Sequence, residues 1–315
     1  MNKGNQSLLV IFFLSSLLVF ISLACSGNDL GNNADLSATQ EALQQTQVAL
    51  SVEQTLAALQ QDSTVPSAEA TGGPTAAPAT EEPQNNDPCA GKTTVNYQNI
   101  SFCYNPALAS STNNTIEAEE ISEMSENFST PQHVQFTFQG YQISPTFHNA
   151  VIHIYPVQDY IAISPYSSNI ISNLQTLLQQ KPETPSSIPF LPMWNAAQMF
   201  STQKAYLQFQ NGEGIRFLTQ YGQSYWPINN HDLFYTFQGI TADGQYYISA
   251  ILPISNPQLP ADGDSWPGDL NDLATDYDLN YAENMNILLY SQPDDSFTPT
   301  LTMLDELIQS ISITQ

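Results

Sequence analysis

Between Lys204 and Pro253 apolar and polar residues alternate almost without interruption, and the pattern predicts four strands joined by tight turns. Leu207 and Phe209 alternate with Tyr206, Gln208 and Gln210 over 205–210, and Asn211-Gly212-Glu213-Gly214 is expected to reverse the chain into a strand at 215–221. A looser loop leads to a strand at 233–240, which Ala242-Asp243-Gly244 turns back into 245–253. Asn-Gly and Asp-Gly supply the positive-φ positions that tight hairpins need, so between β-formers they mark turns. The last two strands carry apolar or aromatic side chains at both parities, so the sheet is expected to be covered on both faces.

The same reading predicts the flanks. Residues 95–104 read as one strand stopped by Asn105-Pro106, 117–127 as a short acidic helix, and 133–141 and 150–155 as further strands. From an N-cap at Ser167 or Ser168 to Gln180, Ile170, Ile171, Leu174, Leu177 and Leu178 fall on one helical face, and Lys181-Pro182 ends the helix. A proline-rich passage, 182–192, follows. After Pro253 the chain reads as loop to Pro267, then as helix from Asp269 to about Tyr290. In the last helix Phe297 and Leu301 are expected to staple, Thr298 to cap and Pro299 to open, with Leu301, Leu304, Leu307, Ile308 and Ile311 as the buried stripe. These elements predict one α+β domain over 89–315, a mainly antiparallel sheet with helices packed on it. Its sheet-plus-helix order is similar to PsbP-like folds.

The amino-terminal third has other patterns. Leu8 to Leu23 is an apolar run behind a single lysine, the shape of a signal-peptide core and too short for a confident span. It ends in Ser22-Leu23-Ala24-Cys25, which resembles the lipobox of bacterial lipoproteins, although Ser22 stands where leucine is commonest. That resemblance implies a signal peptide over 1–24 and an acylated Cys25 at the new amino terminus; ordinary cleavage nearby is the alternative. Residues 25–61 then form the anchor and a stalk. Leu36, Leu43 and Leu50 recur every seven residues in a helix-favouring Ala-Gln-Leu composition. Thr39, Thr46 and Glu53 interrupt the seam, so a solvated helix is favoured over a self-associating coiled coil. Residues 62–88, rich in Pro, Ala, Thr and Glu, read as a disordered linker.

Charge changes the picture by exclusion. The formal net charge is -25, from 30 acidic and 5 basic residues, and only 11% of the chain is charged. After Lys3 in the signal segment, Lys92, Lys181, Lys204 and Arg216 are the only basic groups. Such a surface cannot neutralise phosphates, which excludes electrostatic binding of nucleic acid or anionic lipid head groups. With Cys25 acylated, Cys89 and Cys103 remain, and in an oxidising compartment they are expected to pair, with two free thiols as the alternative.

Candidate chemistry is sparse. Ser201-Thr202-Gln203-Lys204 matches the S-x-x-K pattern of penicillin-binding enzymes, but strand alternation follows where that motif opens a helix, and no K-T-G or S-D-N companion occurs. His133, His148, His153 and His231 lack metal-ligand spacing and read as structural or surface residues. Asp262 and Asp264 begin an aspartate-rich segment that offers oxygen ligands for Ca²⁺, but the EF-hand order fails at Trp266. No metal or other cofactor is expected. Arg216, Tyr225, Trp226, His231 and Trp266 are the candidate ligand-binding residues. The tryptophans lie in loops among amides, a combination that suits glycan or peptide, and Arg216 within a strand suits a carboxylate partner.

The lipobox, the ATQ and TQxAL stalk, the Thr/Pro linker and the ending FTPTLTMLDELIQSI together resemble bacterial surface lipoproteins of uncharacterised activity. That resemblance implies a lipid-anchored, extracytoplasmic protein and brings no activity or functional residues. The leading expectation is a non-enzymatic protein that binds a glycan, peptide or protein, or acts as a scaffold. An exported hydrolase with a dispersed site and a subunit of a surface assembly are the alternatives.

Overall fold

The computed structural model describes residues 88–185 and 187–314. The expectations for the signal segment, Cys25, the stalk and the linker up to residue 87 fall outside the described residues. In chain order the elements are β1 (Thr93–Tyr97), β2 (Ile100–Tyr104), β3 (Ser111–Glu117), β4 (His133–Gln139) and β5 (Val151–Pro156), then α1 (Val157–Ile163) and α2 (Pro165–Gln180). There follow β6 (Ala197–Gln198), β7 (Thr202–Phe209), β8 (Gly212–Thr219), β9 (Tyr221–Gly222), β10 (Phe234–Thr241) and β11 (Tyr246–Pro253). The chain closes with α3 (Leu270–Asp276), a π-helical turn (Tyr277–Tyr281), α4 (Ala282–Tyr290), α5 (Leu301–Gln309) and β12 (Ser312–Ile313).

Seven strands form the main sheet in the order β3-β4-β5-β11-β10-β8-β7, and each neighbouring pair is antiparallel. A second sheet, β1-β2-β12, is also antiparallel. The expected α+β class is therefore what the described residues adopt. Both faces of the main sheet are covered at its central strands, because successive side chains of β8 and β10 enter different cores. Leu218, Tyr235 and Phe237 pack with α3 to α5 and the small sheet on the inner face. Ile215, Phe217, Phe234 and Ile240 pack with α1, α2 and Ile188 to Leu191 on the outer face.

Several local expectations change. The first hairpin turns at Gln210 and Asn211, and Gly212 and Gly214 already belong to β8. Aromatic rings require those glycines: a Cβ on Gly212 would lie 2.2 Å from Phe209 Cζ, and one on Gly214 would lie 2.4 Å from Phe237 Cζ. Residues 95–104 are a hairpin rather than one strand, turned by Gln98 at φ 51° and Asn99. No helix occupies 117–125. Serine side chains take over the backbone there, with Ser129 Oγ accepting from Ser122 N and Ser125 Oγ from Asn127 N, and no apolar stripe exists to favour a helix. Strand β3 was not anticipated. α2 starts at Pro165, and Ser167 is buried with its Oγ donating to the Ser164 and Tyr160 carbonyls instead of capping. In α5 the cap is Thr300, which accepts from Met303 N, while Thr298-Pro299 is a cis peptide ahead of the helix.

Cys89 and Cys103 are joined by a disulfide with a Cα separation of 5.6 Å, which fastens the start of the described chain to β2. No helix among the described residues is long and apolar enough to cross a membrane.

Candidate functional site

After α2 the described residues between 182 and 194 form neither helix nor strand, because prolines at 182, 185, 189 and 192 remove backbone donors and disfavour a helix. Side chains from the sheet pin this segment. Tyr206 Oη donates to the Pro182 carbonyl at 3.0 Å, Lys204 Nζ to the Pro185 carbonyl at 3.4 Å, and Gln238 Oε1 accepts from Leu191 N at 3.0 Å. The segment therefore stands off α2 and leaves a cleft of about 540 Å³ between them.

One wall is a stripe of α2, where Tyr166, Ile170, Asn173, Leu177 and Gln180 fall at helical spacing. From Tyr166 to Gln180 the stripe runs roughly 20 Å at 1.5 Å per residue. The floor is aromatic: the Phe190 and Tyr221 ring centroids are 4.8 Å apart, those of Phe190 and Trp194 4.9 Å, and those of Trp194 and Tyr221 5.1 Å. Tyr166 stands exposed at the rim. Gln198 adds an amide whose Nε2 is buried with no hydrogen-bond partner, a donor waiting for an acceptor. Among the described residues no Asp, Glu, Lys, Arg or His lines this cleft.

Trp194 is also a wall of a second cleft, of about 390 Å³, whose lining is titratable. His148 stacks on Trp194 with centroids 4.9 Å apart and planes 13° from parallel. Deeper in, His133 Nδ1 lies 2.8 Å from the Pro131 carbonyl, and its Nε2 lies 3.0 Å from His153 Nδ1. Because a carbonyl only accepts, His133 carries its proton on Nδ1 and turns a lone pair toward His153. Burial holds His148 down to about 4 and His153 down to about 3, the neighbouring His133 adding to the effect at His153. Burial also lowers His133, against the pull of Glu117. All three rings are thus neutral near pH 7.

The structure scatters the residues singled out from sequence. Arg216 is 6% exposed on the inner face, with Nε 3.4 Å from Asp305 Oδ1 and Nη1 donating to the Gln203 carbonyl. Tyr235 Oη donates to the same Asp305 oxygen at 2.9 Å. Burial raises the Asp305 carboxyl, and Arg216 opposes it. Arg216 therefore makes the carboxylate pair expected of it, inside the protein. Tyr225 stacks on Tyr277 at 4.9 Å, Trp226 lies against Gly263, and Trp266 meets Tyr281 edge-on at 6.0 Å. These three rings clasp the excursion between β11 and α4. His231 Nδ1 contacts Asp232 at 2.7 Å, and its ring packs near Phe147.

Asp262 accepts from Ser265 N at 2.8 Å and from Ser265 Oγ at 2.6 Å, which lowers its pKa, while Asp264 stands exposed beside it. Among the described residues no three His, Cys, Asp or Glu side chains are assembled to hold a metal ion. Lys204 is turned to the Pro185 carbonyl. No histidine of the described residues is hydrogen-bonded to a serine.

Sequence reasoning passed over the aromatic cleft. Tyr166, Phe190, Trp194 and Tyr221 come from three different segments, and only the density of Trp and Phe beside proline at 188–194 hinted at it. Comparison with protein-family models, curated proteins and solved structures finds no match.

Proposed function

We propose that this protein is a lipid-anchored, extracytoplasmic binding protein that holds an extended, uncharged glycan in the cleft between α2 and the Pro182–Trp194 segment. Acyl chains on Cys25 tether it to a bacterial membrane or cell surface, and the 25–88 stalk and linker carry the folded part outward. The observation that carries the reading is a long cleft with no charged side chain among its described lining residues, in a protein of net charge -25. An ionic ligand would find no counter-charge there. Sugar rings present apolar C–H faces to aromatic rings and hydroxyls to amides, and Tyr166, Trp194 and Tyr221 beside Asn173, Gln180 and Gln198 supply both. A peptide is the poorer fit, because the proline wall lacks the N–H ladder that β-strand addition uses.

The test is titration of the full chain with neutral tetrasaccharides (cello-, malto- and chito-series), followed by tryptophan fluorescence and calorimetry. At least one series should saturate, and Tyr166→Ala should weaken it about tenfold, the loss of one stacked ring. Absence of saturable binding by all three, or binding that Tyr166→Ala leaves unchanged, contradicts the proposal. Saturation by a neutral proline-rich peptide alone replaces the glycan with a peptide. The anchor is tested separately by mass spectrometry of the mature amino terminus: an unacylated Cys25 in the wild-type protein contradicts it.

A further inference from the structure

The second cleft carries different chemistry on three neighbouring strands. Strand register places Glu117 of β3 directly opposite His133 of β4, and His153 of β5 opposite Gln135, one step diagonal from His133. Residues that face one another across a ladder, and residues two apart along a strand, share a face of the sheet. Glu117, His133 and His153 therefore project from one face into one cleft, which all three line.

The two rings are hydrogen-bonded to each other, and their facing nitrogens are close enough to share an ion once both turn toward it. The Pro131 carbonyl fixes the proton of His133 on Nδ1, so Nε2 is a lone pair aimed at a ring nitrogen only 3.0 Å away. A tetrahedral ion with Zn–N bonds of about 2.0–2.1 Å separates two such nitrogens by roughly 3.3 Å, within a few tenths of an ångström of the observed spacing. A backbone carbonyl holding the far nitrogen is also how metal-ligating histidines are commonly oriented. Glu117 uses one oxygen only, Oε1, which accepts from Thr115 Oγ1 at 2.6 Å and Gln135 Nε2 at 3.3 Å. Oε2 has no such partner. Opposed Cβ atoms in an antiparallel pair lie about 5 Å apart, so rotation of the Glu117 side chain brings this oxygen to the nitrogen pair. Among the described residues the three are not preassembled, so binding requires the Glu117 side chain to turn in. No Lys or Arg lines the cleft, and Glu120 adds negative charge at its edge.

We propose that Glu117, His133 and His153 bind a divalent transition-metal ion of the zinc class, with an exchangeable ligand in the fourth position. Two imidazoles and one carboxylate suit such an ion rather than Ca²⁺ or Mg²⁺, which take oxygen sets. Binding moves the His153 proton from Nδ1 to Nε2, so both facing nitrogens offer lone pairs and no net proton is released by the rings. This site shares the Trp194 wall with the glycan cleft, but none of its three ligands lines that cleft.

The full chain, stripped with chelator and held in excess Ca²⁺ to occupy the acidic surface, is titrated with Zn²⁺ and with Co²⁺. The expected result is one equivalent bound, visible Co²⁺ absorption of a tetrahedral N/O site, and a raised unfolding midpoint with Zn²⁺. His153→Ala should abolish these signals. Glu117→Gln, at a partly exposed strand end where folding is unaffected, should weaken binding about tenfold or more, as ligand-shell changes do. No stoichiometric uptake at about 100 µM Zn²⁺, or uptake unchanged in either variant, overturns the proposal.

Discussion

The two faces of the seven-stranded sheet solve different problems. The inner face is sealed by α3 to α5 and the small sheet, and even its charges are sealed in: Arg216, Asp305 and the Tyr235 hydroxyl interact with one another beneath α5. The outer face is covered only in part. α2 and the Pro182–Trp194 segment stand apart over β8 and β10, and β3 to β5 are left to form the histidine cleft. A buried charge pair fixes geometry and destabilises strongly when halved, whereas an uncharged open cleft costs little to maintain. The contrast teaches that the inner face seals its charges inside the core, whereas the outer face has a core of its own and still leaves two clefts open to present chemistry.

That contrast can be broken or sharpened by experiment. Asp305→Ala should have the largest effect on stability, about 3–5 kcal/mol, because it leaves the Arg216 guanidinium buried without its partner. Urea unfolding measures it, and binding at the outer clefts should survive in the fraction that stays folded. Cys103→Ser should cost about 3 kcal/mol in the chain-entropy model for a loop of this size. The loss should show as a lower thermal midpoint that matches reduced wild type.

Acidification should act next, and through the outer face. His148 and His153 bind protons at about 4 and about 3 in the folded protein, against an ordinary histidine value of 6.5. The unfolded chain thus binds more protons between those values, so stability is full above about pH 6.5 and falls as pH drops toward 4 and then 3. Asp305, raised by burial, contributes with the opposite sign in the carboxylate range. Denaturant midpoints across pH 4 to 7 should show the histidine slope, and His148→Phe should flatten part of it. The smallest stability effect belongs to Tyr166→Ala, within about 0.5 kcal/mol for an exposed position, although ligand affinity should fall.

Much of the architecture was legible because it rests on local rules. The α2 face from Ile170 to Leu178 follows helical spacing, and all five expected residues are buried. The central strands followed from alternation and turn residues, even though Gly212 and Gly214 serve ring packing and not the turn itself. Strand β3 was hidden because Ser111 to Glu117 lies at a sheet edge with nearly every side chain in solvent, so no apolar alternation marks it. The turn at Gln98 was hidden because it uses neither Gly nor Pro.

The clefts were less legible for a further reason. His133 and His153 are 20 residues apart, and only the pairing of β4 with β5 brings them to 3.0 Å. Phe190 and Trp194 meet Tyr221 only once the proline-rich segment is pinned by Tyr206 and Gln238. Loop tryptophans at 226 and 266 looked more like a site from sequence alone, yet glycines at 263 and 268 let them pack flat against their own chain.

The most direct measurement is a paired one on the full chain: thermal midpoint and tetrasaccharide affinity for Tyr166→Ala and for Asp305→Ala, side by side with wild type. The account predicts that Tyr166→Ala keeps the wild-type midpoint and loses about tenfold in affinity, while Asp305→Ala loses midpoint and keeps affinity below its own unfolding temperature. Equal loss of affinity in both variants, or none in Tyr166→Ala, would contradict the assignment of binding to the outer face.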